Sequence, residues 1–212
     1  MTATPLLAGI ARRIAATSGR RFTPSSQESV GGGCINRALV LAGDGQKYFV
    51  KLNAAAHAGM FAAEAEGLKA LAATRAVRVP EPLCHGVADG HAYLVLEYLA
   101  LGSGDGHAPE KLGRGLAQLH RATAARFGWH RDNTIGSTPQ INTPAADWVG
   151  FWREQRLGFQ LGLAAANGHR GALQREGARL LDALPAFFTD YRPVPALLHG
   201  DLWGGNAAVT GD

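Results

Sequence analysis

The sequence predicts an α+β fold in two lobes: a five-stranded antiparallel sheet with a helix laid across it over residues 1–101, then a mostly helical lobe over 102–212 that is incomplete. Three observations predict it. β-prone runs separated by Gly-Asp turn signals fill the first half, and a helix-period segment interrupts them between residues 57 and 73. Beyond the cluster Gly102-Ser103-Gly104-Asp105-Gly106 the pattern is helical as far as residue 188. At 212 residues, with 46% apolar and 18% charged side chains, the chain has ordinary globular composition and enough length to bury a sizeable core.

Pro5 to Thr17 carries Leu6, Leu7, Ile10 and Ile14 at helical spacing, with Thr4 as N-cap, Pro5 at the first helical position and Gly19 as the stop. The period then changes. Ile35 to Leu41 and Tyr48 to Leu52 are strand-like and joined through Gly43-Asp44-Gly45, a hairpin signal. His57 to Ala73 returns to helix period, with Phe61, Glu64, Leu68 and Leu71 on one face. After the stiff connector Val79-Pro80-Glu81-Pro82, the runs Leu83 to Val87 and Ala92 to Leu99 read as two antiparallel strands about the turn Ala88-Asp89-Gly90. In the second half, Pro109 to Thr123 is a helix with Leu112, Leu116 and Leu119 facing a core, and residues 127–140 form a loop dense in hydrogen-bonding groups. Asp147 to Leu163 reads as one long helix whose Trp148, Phe151, Trp152 and Phe159 belong mainly to the core, and Leu173 to Phe188 is a last helix.

The net charge of +4 comes from 21 basic and 17 acidic residues scattered singly or in pairs such as Arg12-Arg13, with no basic tract and no interleaved aromatics, which argues against a nucleic-acid partner. Two cysteines build neither a disulfide framework nor a metal knuckle, and no apolar run approaches membrane-spanning length. The expectation is a soluble cytoplasmic chain with no membrane partner. His57, His85, His91, His107, His120, His130 and His169 show no metal-ligand spacing.

Three features carry chemistry. Lys51 lies between apolar neighbours in a strand, where a solvent-facing lysine is the ordinary reading. Glu64, however, falls on the apolar face of the following helix while Glu66 points away, and a carboxylate on such a face needs a cation; Lys51 is the candidate. Gly31-Gly32-Gly33, just before the hairpin, lets backbone N–H groups approach an anion such as a nucleotide phosphate, though alone it reads equally as a flexible strand entry. The third feature is the loop Leu198-His199-Gly200-Asp201-Leu202-Trp203-Gly204-Gly205-Asn206. Asp201 and Asn206 stand five positions apart, the interval at which phosphoryl-transfer loops set a carboxylate that accepts a hydroxyl proton and an amide that holds a metal ion. By itself this too reads as a polar hairpin loop. A Gly-rich turn, a strand lysine and a helix glutamate in this order form the nucleotide-binding half of a protein-kinase-like lobe. In such a lobe the backbone around Glu97 to Leu99 would bond the adenine, a role assigned by position only.

Taken together, Gly31-Gly32-Gly33-Cys34-Ile35-Asn36, Phe49-Val50-Lys51, Phe61-x-x-Glu64-x-x-Gly67-Leu68, Val79-Pro80-x-Pro82, Asn133-x-Ile135-Gly136, Gln140-x-Asn142, Asp147-Trp148, Arg156-Leu157 and Leu197-Leu198-His199-Gly200-Asp201-Leu202-Trp203-x-Gly205-Asn206 resemble the fructosamine kinase (ketosamine-3-kinase) family from about residue 22 onward. Aminoglycoside and choline phosphotransferases share the fold and an H-x-D-x-x-x-x-N loop, but the Leu-His-Gly-Asp-Leu-Trp form and the Asn133 loop favour the fructosamine kinases. The resemblance implies phosphorylation, dependent on ATP and Mg²⁺, of a sugar hydroxyl on a small-molecule or protein-bound ketosamine. It implies Asp201 as the base, Asn206 as a Mg²⁺ ligand, Lys51 and Glu64 as the phosphate-positioning pair, and Gly31, Gly32 and Gly33 as the phosphate turn. It further implies Glu97 and Leu99 on the adenine side, Trp203 as a wall against the sugar, and Asn133 on the substrate side. Cys34 stands where the family carries a cysteine tied to redox-sensitive, disulfide-linked homodimers, although burial without chemistry is the plainer reading of an arbitrary cysteine. Cys84 reads as structural.

The chain departs from the family pattern at its end. The family places a second metal-binding aspartate in an Asp-Pro-Ala triplet after a strand, a turn and a returning strand, whereas Asp212, six residues past Asn206, comes too early. The expectation is a truncated chain, inactive as written for want of that aspartate. Two readings stay open, a ketosamine kinase and a catalytically inactive nucleotide-binding fragment, with an aminoglycoside- or choline-type phosphotransferase as a further alternative.

Overall fold

The computed structural model describes residues 4–31 and 36–210. Gly32, Gly33, Cys34 and Ile35 of the glycine turn, and Asp212, lie outside the described residues. The chain divides into two compact units, residues 1–119 with 198–212 and residues 120–197, so the composition break at residue 102 falls inside the first unit.

In the first unit α1 (Pro5–Ser18) starts at Thr4, whose hydroxyl oxygen accepts from the Leu7 N–H, and stops at Gly19, which takes the left-handed φ of 69° and donates its N–H to the Ala15 carbonyl. The sheet contains β1 (Ser26–Val30), β2 (Arg37–Gly43), β3 (Gln46–Ala54), β4 (Pro82–Ala88) and β5 (His91–Glu97) in the order β1-β2-β3-β5-β4, every neighbouring pair antiparallel, with α2 (Ala58–Ala73) between β3 and β4 in the chain. Both hairpins close through two residues at positive φ, Asp44 (48°) with Gly45 (73°) and Asp89 (46°) with Gly90 (72°). That backbone twist matches the twist of the flanking strands, which is why the Asp-Gly pairs were readable as turns.

Helices cover the sheet on both faces. Leu7, Ile10 and Ile14 of α1 pack with Leu39, Leu41, Val50, Leu52, Tyr93 and Val95, while Phe61 and Ala65 of α2 pack with Ala92, Leu94, Leu96 and the partly buried Phe49. Successive strand residues point to opposite faces, so β5 is apolar and buried from Ala92 to Leu96 instead of alternating. The fifth strand, β1, has no buried residue: Ser26, Gln27, Glu28, Ser29 and Val30 are all exposed, and an edge strand without a core face leaves no hydrophobic period to read. Beyond β5 come β6 (Leu101–Gly102) and α3 (Ala108–Leu119). α3 ends four residues before Thr123, and of its three leucines only Leu119 is buried, Leu116 being half-buried and Leu112 exposed.

The second unit opens with the hairpin β7 (Asn133–Ile135) and β8 (Thr138–Gln140). Its aromatic core joins Phe127, Trp148 and Phe151, with Phe127 and Trp148 ring centroids 5.0 Å apart. The long helix expected over Asp147 to Leu163 is interrupted. Asp147 caps α4 (Trp148–Trp152) by accepting the Gly150 N–H, the winding widens to a π turn over Arg153–Gly158, and α5 (Phe159–Ala166) continues. A Cβ at Gly158 would lie 2.2 Å from the Arg153 carbonyl oxygen, so the wide turn closes only on a glycine. From this turn the Arg156 guanidinium reaches the Ile141 carbonyl (2.6 Å) and Asn142 Oδ1 (2.7 Å) and lies 4.5 Å from the Phe151 ring. α6 (Ala172–Ala183) and a tight 3₁₀ turn, Leu184–Phe188, follow. The chain then returns to the first unit, where β9 (Val209–Thr210) pairs antiparallel with β6. Among the described residues no helix is long and apolar enough to cross a membrane.

Phe61 is fully buried between α2 and the sheet, so Phe61→Ala is expected to destabilise the first unit by about 3–5 kcal/mol. The check is urea unfolding, in which the midpoint falls at unchanged slope. Cys84 sits in the α1-side core, where burial pushes its thiol from 9.0 to about 11, against the opposing pull of Arg13 and a hydrogen bond from Thr17. The folded state then holds this proton between pH 9 and 11 while the unfolded state releases it, so this contribution to stability is complete below pH 9 and is lost as pH rises through 11. Iodoacetamide at pH 8, followed by peptide mass spectrometry, is expected to leave the Cys84 peptide unmodified in the native protein and to alkylate it in urea; rapid native labelling would contradict the burial.

Candidate active site

The two-residue period of β3 sets the first part of the site. Phe49 and Lys51 stand two apart and share a face; Phe49 packs in the α2-side cluster, so Lys51 emerges beneath α2. There its Nζ donates to Glu64 Oε1 at 2.7 Å, the two side chains being 26% and 29% exposed. The fully buried positions of α2 are Phe61, Ala65 and Leu71, which puts Glu64 at the margin of the apolar stripe rather than within it. At this exposure an ion pair adds only about 0–1 kcal/mol to stability, and its consequence is geometric: each side chain holds the other in one orientation. Of the glycine turn, Gly31 is described and follows β1 directly; at the far end of the turn, Asn36 Oδ1 accepts from Asn53 Nδ2 of β3 at 2.7 Å.

The second part is the loop Leu198 to Asn206, which belongs to the same unit. Gly200 takes a left-handed φ of 85°, a conformation that a side chain would strain, and the turn presents Asp201 to solvent. Asn206 Nδ2 donates both to the Asp201 carbonyl (2.8 Å) and to Asp201 Oδ2 (2.9 Å), while the Asn206 N–H donates to the Trp203 carbonyl (2.8 Å). The Asp201 N–H donates to His199 Nδ1 at 3.3 Å. The two residues singled out by their spacing are therefore bonded to one another, with Asp201 Oδ1 and Asn206 Oδ1 outside both bonds. Trp203 is 62% exposed and its ring lies over Gly205, where a Cβ would come within 2.2 Å of the indole. Immediately after the loop, the pairing of β9 with β6 ties it to the segment that leaves β5.

Glu97, whose main chain with that of Leu99 is the expected adenine side, has its side chain held within the protein. Its carboxylate is occupied, Oε1 by Arg78 and Oε2 by the Glu81 N–H at 3.3 Å, and its own N–H donates to the Glu81 carbonyl at 2.8 Å. Neither its side chain nor its N–H is available to a ligand. Leu99 follows two residues on, half-buried and outside any strand. Asn133 belongs to the second unit, and its Oδ1 accepts from both Gln140 Nε2 (3.0 Å) and Asn142 Nδ2 (2.8 Å), so its carbonyl is spent inside the β7–β8 hairpin. The hub there is the buried Asn142, whose N–H donates to Asp132 Oδ1 (2.8 Å), whose carbonyl accepts the Trp129 N–H (2.9 Å), and whose Oδ1 receives Arg156. Burial holds the Arg156 guanidinium below the usual arginine range. Arg78, in a connector without period, escaped sequence reasoning, its only signal being the prolines that follow it; Arg156 was singled out within the motif Arg156-Leu157, but its bonds to Ile141 and Asn142 were not legible. Among the described residues no group of three or more His, Cys, Asp or Glu is placed to hold a metal ion.

The family model for fructosamine kinase matches residues 6–212. A Synechocystis protein assigned as a ketoamine kinase is 47% identical over 201 residues, covering 94% of this chain and 67% of that protein. A chloroplastic protein-ribulosamine 3-kinase of Arabidopsis thaliana is 43% identical over 195 residues, covering 91% and 60%. The chain thus spans roughly 60–67% of the length of these two relatives. A crystal structure from Haemophilus somnus, described as a fructosamine-3-kinase, superposes with a TM-score of 0.86 at 27% identity, covering 96% of this chain and 68% of that one. The aminoglycoside phosphotransferase APH(4)-Ia, in a thermostable mutant, shares the kinase-like fold at 14% identity, with a TM-score of 0.52 over 94% of this chain and 69% of that one. By family model, by sequence and by fold, this chain belongs to the fructosamine kinase family.

Proposed function

We propose that the protein phosphorylates a sugar hydroxyl of a ketosamine, with ATP as the phosphoryl donor. The observation that carries the reading is the Asp201–Asn206 pair, a hydroxyl-facing carboxylate type and a metal-ligating amide type bonded to each other in one loop, in a chain of the fructosamine kinase family. The names of the relatives, a ketoamine kinase and a ribulosamine 3-kinase, support a fructosamine or a ribulosamine as the acceptor.

In this reading Lys51, oriented by Glu64, neutralises the α- and β-phosphates, and Gly31 lies on the phosphate side. Leu99 and its neighbours bond the adenine edge through the main chain. Asp201 orients the attacking hydroxyl and accepts its proton, and the bond from Asn206 Nδ2 holds the carboxylate in place for that task. The exposed Trp203 ring forms an apolar wall for the sugar. Asn133 meets the substrate only through Nδ2, its carbonyl being spent. Asn206 Oδ1, left outside the bonds to Asp201, is an oxygen that would hold a Mg²⁺ ion beside the phosphates, a hard oxygen donor of the kind this cation takes. When bound, the ion supplies charge neutralisation across the transferring phosphates. Catalysis is then positioning and electrostatics, carried out in the cytoplasm.

ATP consumption on a fructosamine, a ribulosamine, an aminoglycoside and choline tests the substrate class: one of the two ketosamines is expected to give the highest kcat/KM. Nucleotide binding without turnover on any of the four would overturn the catalytic reading and leave a nucleotide-binding protein. Asp201→Asn is expected to lower kcat by roughly 10²–10⁴-fold while the ATP Kd stays within about twofold, because the lost group acts on the hydroxyl and not on the nucleotide. Unchanged turnover in that variant would remove Asp201 from the mechanism.

A further inference from the structure

At the exit of β5 an ordinary antiparallel pair would exchange two main-chain bonds between Glu81 and Glu97, each N–H to the other's carbonyl. Only one is made. The Glu97 N–H donates to the Glu81 carbonyl at 2.8 Å, but the Glu81 N–H donates to the Glu97 carboxylate at Oε2, 3.3 Å away. Glu81 stands between Pro80 and Pro82, which have no N–H, so it is the single main-chain donor of that tripeptide, and the side chain of Glu97 has taken it. The other carboxylate oxygen is held by the Arg78 guanidinium, whose planar fork fixes the orientation of the group. The register between β4 and β5 also shifts between Pro82 and Cys84, so regular pairing begins only beyond this point. The Glu97 carbonyl is thereby left out of its pair with Glu81.

We infer that Arg78 and Glu97 are positioning residues for nucleotide-base selection: together they divert the Glu81 N–H so that the Glu97 main-chain carbonyl stays open to accept the exocyclic amino group of adenine. The inference rests on the nucleotide-binding reading above. A main-chain acceptor at this point favours adenine, which offers an N–H donor there, and disfavours guanine, which offers a carbonyl oxygen, because two facing acceptors repel. The same arrangement braces the stretch Tyr98 to Ala100, clamped at Glu97 on one side and by the β6–β9 pair on the other, so the main chain that meets the base is ordered before the base arrives. It also joins the base-side stretch to the phosphate side, since Arg78 lies in the connector that leaves α2, the helix that carries Glu64.

The test measures Kd for ATP, GTP and inorganic tripolyphosphate on the whole protein. Glu97→Ala releases the Glu81 N–H to the Glu97 carbonyl and is expected to weaken ATP roughly tenfold, about the effect of one lost hydrogen bond, and to bring the ATP-to-GTP ratio towards one. Tripolyphosphate, which has no base, is expected to bind unchanged. Arg78→Met, at a half-exposed position where folding is safe, is expected to move ATP and selectivity the same way by about three- to fivefold, Arg78→Lys to recover part of the loss, and the double variant to lose no more than Glu97→Ala alone. Arg114→Met, which breaks an exposed ion pair with Glu110 on α3, serves as the control and is expected to change none of the three. Wild-type affinity and wild-type selectivity in both Glu97→Ala and Arg78→Met would overturn this inference alone, as would an equal loss for tripolyphosphate, which marks general unfolding. A wild-type protein that binds no nucleotide would overturn the functional reading and this inference with it.

Discussion

The arrangement depends on a sheet buried on both faces. With α1 on one side and α2 on the other, the residues of the central strands β3 and β5 alternate between two apolar layers. Lys51 is the exception that this geometry produces. Its flanking residues, Val50 and Leu52, belong to the α1 layer, so the lysine lies on the α2 side, and the helix above answers it with Glu64 at 2.7 Å. The charge pair is a consequence of where the strand and helix must sit to bury Phe61 and Leu94, and its orientation is inherited from that packing rather than from its own modest strength.

The loop Leu198 to Asn206 follows a different logic. Nothing around it is deeply buried, and its shape is maintained by its own hydrogen bonds: Asn206 to two atoms of Asp201, the Asn206 N–H to the Trp203 carbonyl, and a left-handed glycine at 200 to make the turn. Rigid support arrives only at its end, where β9 joins β6. A scaffold with a covered sheet and a surface loop that bonds itself is a common division of labour, the first fixing charge positions and the second presenting reactive groups to solvent.

What could be read from residues follows this division. The hairpins were legible because Asp-Gly at two positive φ values has few alternatives, and the Lys51–Glu64 contact was legible because a carboxylate on an apolar stripe demands a cation. The stripe itself was read too strictly, since Glu64 proves to lie at its edge. β1 was invisible because no residue in it is buried. The π turn at Arg153–Gly158 was invisible because a one-residue widening leaves helical periodicity almost intact, and only the carbonyl pressed against Gly158 betrays it. The ion pair of Arg78 with the Glu97 side chain was not legible, because no pattern in one sequence encodes a contact across nineteen residues of connector and strand.

The two outer strands of the sheet have a bearing on how this molecule behaves in a crowded solution. An unpaired sheet margin is a template for recruiting a second chain, and both margins here are poor templates. β1 offers serines, a glutamine and a central glutamate to any incoming strand. β4 begins at a proline, departs from regular register directly after it, and has the donor just before it capped by a carboxylate. Among the described residues, the same residues that finish the two outer strands thus also make each margin a poor template for a further strand.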